Sequence, residues 1–167
     1  MVGGSGSLNI YNYDIQTPVH TDLYKNTDIT ISPSIGYFII DKLALGLKPS
    51  YLLHQEEQRD GQGSGSFSWL ELGAFGRWYF LKKENNYNIV SEISYYYGLP
   101  GNFSSNQGHS YSIKALMGHV LYFNSSVGIE LLVGYNSRKE LYDYGIKKLN
   151  KGFLTTIGFQ IHLKKGK

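Results

Sequence analysis

Six charged side chains interrupt stretches that are otherwise small and apolar: Lys48, Glu71, Arg77, Glu92, Lys114 and Glu130, three of each sign. Alternation places all six on the same side of their strands, Lys48 for instance in phase with Ala44, Gly46 and Ser50. They would share one enclosed space, where an isolated charge is costly and each must find a partner. Arg77 precedes Lys82 by five residues and Glu92 follows Tyr87 by five, so they are direct opposites across a hairpin turning at Lys82–Tyr87. The spacing predicts an inward Arg77–Glu92 salt bridge, with the other four charges extending the network.

The other residues able to do chemistry form less complete sets. The histidines are His20, His54, His109, His119 and His162. His54 with Glu56 would offer a metal two ligands at a strand end, fewer than a site needs, and a solvated pair is the expected reading. His119 falls among outward aliphatic residues and has no evident role there. His109-Ser110 would suit lipid hydrolysis only if the base reached the hydroxyl and an acid oriented it, yet adjacent strand residues point to opposite faces. No catalytic, cofactor or metal residue is therefore assigned, and no enzyme is expected. The absence of cysteine excludes thiol catalysis, disulfides and thiolate zinc. A net charge of +3 with no basic stripe among aromatics argues against nucleic acid as a partner.

The element that must position these groups is clearest at Ile29 to Leu53, ITISPSIGYFIIDKLALGLKPSYLL. Ile29, Ile31, Pro33, Ile35, Tyr37 and Ile39 alternate with Thr30, Ser32, Ser34, Gly36 and Phe38. After Asp41-Lys42, Leu43, Leu45, Leu47, Pro49, Tyr51 and Leu53 alternate with Ala44, Gly46, Lys48, Ser50 and Leu52. A period of two on both sides of a short polar break is a β-hairpin. The second face is not the Lys, Glu and Thr surface of a soluble sheet but Gly, Ser and Ala. Small residues suit a confined barrel interior, and a continuous aliphatic face suits lipid.

The same pattern recurs along the chain, which is read as a single domain over 1–167. A first strand near Val2–Tyr11 precedes a loop from about Asn12 to Thr27. The strand after Asp41-Lys42 continues toward Gln58, turns at Arg59–Gly63, and returns from about Gly65 to Leu81. Further strands are expected around Tyr87–Tyr97, Tyr111–Phe123, Val127–Asn136 and Phe153–Leu163, with long loops at Gly98–Gly108 and Ser137–Lys151. Outward aromatics form two girdles: Tyr37, Trp78, Phe80 and Phe123 near the short turns, and Tyr51, Tyr95, Tyr97, Tyr111, Tyr135 and Phe153 toward the long loops. The fold class is all-β, an eight-stranded antiparallel up-and-down transmembrane β-barrel with short periplasmic turns and long extracellular loops. Its interior is only wide enough to be filled by side chains, so the six charges are expected to form a plug rather than a pathway or gate. A mean hydropathy of −0.28 is compatible with this, because alternation averages out the lipid face.

Ser32 to Leu47, SPSIGYFIIDKLALGL, resembles the second and third strands of small OmpX/OmpA-type outer-membrane β-barrels, especially Bacteroidetes-like ones, through Pro33, Gly36, Tyr37, Phe38, Asp41, Lys42, Leu43, Leu45 and Gly46. GAFGRWYF at Gly73–Phe80 resembles the fourth-strand motif of the same family, and Met1-Val2-Gly3-Gly4-Ser5 its first strand soon after signal cleavage. Gly158-Phe159-Gln160-Ile161-His162-Leu163 is similar to the family's insertion signal, departing from it in the missing terminal aromatic and the Lys-rich tail. The resemblance implies an outer-membrane location with the signal peptide removed, and a bilayer and lipopolysaccharide as partners. Arg138, Lys139, Lys147, Lys148 and Lys151, set against Glu140 and Asp143 in the fourth loop, would meet lipopolysaccharide phosphates. The expected role is structural or recognitional, with an outer-membrane or extracellular protein partner met by strand addition to the projecting third and fourth strands, or as an accessory subunit of a larger complex. The alternatives are a soluble lipocalin-like carrier with the aliphatic face turned inward, and a lipid-modifying enzyme.

Overall fold

The computed structural model describes residues 1–16, 21–58, 64–82, 85–100, 108–142 and 147–163. They form β1 (Val2–Gln16), β2 (Thr21–Ile40), β3 (Leu43–Leu47), β4 (Ser50–Gln58), β5 (Ser64–Tyr79), β6 (Tyr87–Pro100), β7 (Gly108–Tyr122), β8 (Val127–Tyr142) and β9 (Lys147–Ile161). Every pairing is antiparallel, and β1 pairs with both β2 and β9, which closes the sheet into a ring. Both β3 and β4 lie between β2 and β5, so they are two halves of one strand and the ring has eight positions.

Proline explains the interruption. The registers Ile35↔Leu47 and Ile31↔Tyr51, extended toward each other, place Pro33 opposite Pro49, and neither has an N–H to give the ladder. On the other side the ladder continues, with the Lys48 N–H donating to Gly73 O at 2.8 Å and the Gly73 N–H to Lys48 O at 3.2 Å. The short turns are fixed by asparagine. Asn124 Oδ1 accepts the N–H groups of Ser126 and Val127, both at 2.8 Å, and the Asn88 side chain bonds both backbone groups of Leu81.

The strands run further than the hydrophobic pattern indicates. Most of the loop expected at Asn12–Thr27 is ladder, with Gln16 opposite Thr21. The loop expected at Ser137–Lys151 is also mostly ladder, with Leu141 opposite Lys147, and β6 continues through Gly98 to Pro100. Backbone hydrogen bonds sustain a strand whether or not its outward side chains are apolar, so polar sequence there is no sign of a loop. What remains of the four long connections, together with Lys83 and Glu84, lies outside the described residues. The edge expected on the third strand is not free: β4 bonds β2 as far as Gln58 and β5 as far as Glu57.

The interior is filled by setting small residues across from large ones. Gly46 stands opposite Phe75 and Gly73 opposite Tyr96, and a Cβ at Gly73 would strike the Tyr96 ring. Ala44, Tyr79, Val90, Leu116, Val120 and Leu132 pack together near the turn end. Gly73→Ala is accordingly expected to cost about 1–3 kcal/mol, the range for overpacking. Gly65→Ala, whose Cβ meets nothing within 4 Å, is expected to stay within about 0.5 kcal/mol. Urea unfolding of the refolded barrel measures both, and equal effects at the two positions would contradict this packing.

One seam differs from the others. β1 pairs with β9 only from Val2↔Ile161 to Gly6↔Ile157. Beyond that, β1 follows β2 alone to Gln16 and β9 follows β8 alone to Lys147.

Candidate functional site

Alternation along the strands delivers the charged side chains to the centre. Arg77 on β5 is directly opposite Glu92 on β6, and its guanidinium donates to Glu92 Oε2 from Nε at 3.0 Å and from Nη2 at 2.5 Å. The same group reaches Glu130 of β8, at 2.7 Å from Nη1 and 3.2 Å from Nη2. Lys48 closes the set on Glu92 Oε1 at 2.8 Å. All four side chains are buried, and two cations balance two carboxylates through charge-assisted bonds. Beneath them, Tyr79 donates to Gln160 Oε1 at 2.6 Å. The rings of Phe38, Tyr79, Tyr122 and His162 lie 5.3–5.8 Å apart and cluster toward the turn end.

A second cluster lies toward the loop end. Arg138 donates to Glu71 at 2.7 Å, to Glu140 at 2.9 Å and to Ser110 Oγ at 3.1 Å, and its guanidinium lies 5.0 Å over the Trp69 ring. This corrects the assignment of Arg138 and Glu140 to a loop meeting lipopolysaccharide, since both are buried inside β8. The phase that carries Glu130, Leu132 and Gly134 inward simply continues to Asn136, Arg138 and Glu140. Counting on by twos from Glu130 was the available signal. Lys139, Lys147 and Lys151 do face outward, whereas Asp143 and the side chain of Lys148 lie outside the described residues.

Lys114 departs from the expected network. Among the described residues no carboxylate lies within 4.0 Å of its ammonium group, which instead sits 4.4 Å over the Tyr96 ring. It lines a cavity of about 520 Å³ at the loop end, shared with Asp28, His54, Ser112, Asn136 and Arg138. His54 Nδ1 is 2.5 Å from Oδ1 of Asp28, the residue directly opposite it on β2. No cluster of three metal ligands occurs among the described residues. His109 and Ser110 diverge: His109 packs edge-on against Tyr111 at 5.3 Å, while Ser110 is buried beneath Arg138.

The outer wall is the inverse of a soluble core. Ile35, Leu45, Leu72 and Ile129 are 61%, 46%, 62% and 47% exposed, which is opposite to the inward aliphatic face a lipocalin-like carrier requires. Tyr37, Trp78, Phe80 and Phe123 lie exposed at the turn end. Tyr51, Tyr95, Tyr97, Tyr135 and Phe153 are exposed toward the loop end, with Tyr111 partly covered between Tyr95 and Tyr97. His119 is exposed between Ile89 and Leu131.

No protein-family model matches the chain, and no curated protein matches it. Among solved structures, the chain is similar to Neisserial surface protein A (NspA), at 15% identity and a TM-score of 0.49, over 95% of this chain and 94% of that one. It is also similar to the N-terminal β-barrel domain of Pseudomonas aeruginosa OprF, at 12% identity and a TM-score of 0.39, over 95% and 96% of the two chains.

Proposed function

We propose that the chain is an integral outer-membrane barrel with a sealed centre, whose role is structural or recognitional at its loop end. The observation that carries this reading is the inversion of the barrel. Aliphatic side chains cover the outer wall through Ile31, Leu47, Leu70, Ile93, Ile113, Leu131 and Ile157, while Lys48, Arg77, Glu92 and Glu130 are buried. A water-soluble monomer rarely exposes a contiguous apolar patch beyond a few hundred Å², whereas hydrocarbon is the natural solvent for such a belt. The aromatic girdles fit the two interfaces, and the outward Lys139, Lys147 and Lys151 fit the phosphates of lipopolysaccharide. Service within a larger outer-membrane assembly is compatible with the same surface.

Neither conduction nor catalysis is part of this role. The Arg77 network and the ring cluster of Phe38, Tyr79, Tyr122 and His162 occupy the axis below the vestibule, and Ser110 has no histidine on its own face of β7. Protein reconstituted in planar bilayers is expected to show no large stable openings, and large stable conductance would overturn the sealed centre. Fractionation of native membranes, with heat-modifiable migration on a gel, tests the location. Recovery of the folded chain in the soluble fraction would sink the membrane reading.

A further inference from the structure

The geometry points to a lateral lipid-binding portal: the unpaired seam between β1 and β9 admits the phosphate-bearing headgroup of a lipid to the loop-end cavity, where Lys114 holds it. The pairing of β1 with β9 stops at Gly6↔Ile157, yet both strands continue on their other partners, so two edges face each other unzipped. The cavity of about 520 Å³ spans this seam. It is lined by Ser7 of β1, by Gly152 and Leu154 on the inner face of β9, and by Leu149, Lys151 and Phe153 on the outer face. A pocket lined from both faces of one strand opens sideways as well as upward. Gly152 bears this out, because a Cβ there would meet nothing within 4 Å, whereas one at Gly158, in the zipped half, would meet Gly4 O at 2.5 Å.

The chemistry inside selects the occupant. Lys114, Asn136 and Gly152 form one row across β7, β8 and β9, leading from the ammonium group to the opening. The ammonium has three donors and, among the described residues, no carboxylate in salt-bridge range, and the buried Ser112 hydroxyl beside it has no hydrogen-bond partner among them. The two carboxylates lining the cavity are engaged, Asp28 by His54 and Glu140 by Arg138. An anionic oxygen group satisfies the Lys114 ammonium and the Ser112 hydroxyl, and Lys151 provides a second cation at the threshold. Leu149, Phe153 and Leu154 offer apolar surface to acyl chains, and the volume falls in the range of small-molecule sites. The seam opens onto the wall that the proposed function places in lipid, and on that reading a membrane lipid is the molecule that meets it.

The test uses the full chain folded in neutral detergent with Trp78→Phe, which leaves Trp69, stacked under Arg138, as the fluorescent reporter. Dihexanoyl phosphatidic acid is expected to give a saturable change, with inorganic phosphate and dihexanoyl phosphatidylcholine each about tenfold weaker or worse. Lys114→Met is expected to weaken phosphatidic acid about tenfold, and Lys114→Arg to change it less than about threefold. Gly152→Leu, which has room to fold, is expected to block the portal without touching Lys114. No saturable response, equal binding of either control, or unchanged affinity in both Lys114→Met and Gly152→Leu would overturn the portal. Membrane insertion is scored separately by fractionation, so a barrel that inserts but fails to bind refutes the portal alone.

Discussion

Arg77→Met is expected to lower the unfolding free energy of the barrel by about 3–5 kcal/mol, the cost of removing one partner from a buried ionic cluster. The guanidinium joins carboxylates from β6 and β8, and without it Glu130 has no cation among the described residues while Glu92 keeps only Lys48. Arg77→Lys would retain the charge but lose the fork that reaches both carboxylates at once, so it should recover only part of the loss. Arg77→Met combined with Glu130→Gln should recover most of it, because the remaining Lys48–Glu92 pair is balanced. Urea titration followed by tryptophan fluorescence measures the series. A parent-like Arg77→Met variant, within about 0.5 kcal/mol, would mean the cluster is solvated rather than buried.

The second large effect separates lipid from water as the solvent of the outer wall. Ile93 lies midway along β6, 66% exposed, between Gly76 and Ala115 on the flanking strands. Ile93→Arg is expected to cost about 2–4 kcal/mol in a bilayer, the penalty for a cation at the midplane of a barrel wall. Phe153→Arg, near the loop-end rim, should cost about 0–1 kcal/mol beyond the loss of the ring. In a water-soluble barrel an exposed isoleucine tolerates arginine within about 0.5 kcal/mol. Refolding yields and unfolding curves in vesicles give the comparison, and indifference at both positions would remove the lipid belt.

Much of the fold is legible without coordinates because the side-chain period of a strand is two and the two faces of this wall differ in kind, aliphatic outside and largely small or polar inside. Ile29 to Leu53 states the rule, and the faces it assigns hold in β5 through β9. The opposition of Arg77 and Glu92 can be reached by counting outward from a short turn. Strand ends are less legible: beyond the apolar belt the outward residues Ser137, Lys139 and Lys151 resemble a loop, although Leu141 still pairs with Lys147. The inward bonds of Gln160 with Tyr79 and of Arg138 with Glu71 are illegible for a related reason, since each joins strands distant in the chain, whereas His54 meets Asp28 directly across the β2–β4 ladder.

Local sequence therefore determined which residues face out, which face in and where the short turns fall, because those follow from pleat and turn chemistry over a few residues. Only closure of the ring decided the rest. It brought Lys48, Arg77 and Glu130 from separate strands around a common centre, left Lys114 over Tyr96 with no carboxylate among the described residues in salt-bridge range, and zipped β1 to β9 for just the first part of their length. Closure joins residues far apart in the chain, so it depends on twist, register and the volume of every inward side chain together, which no single stretch of sequence contains.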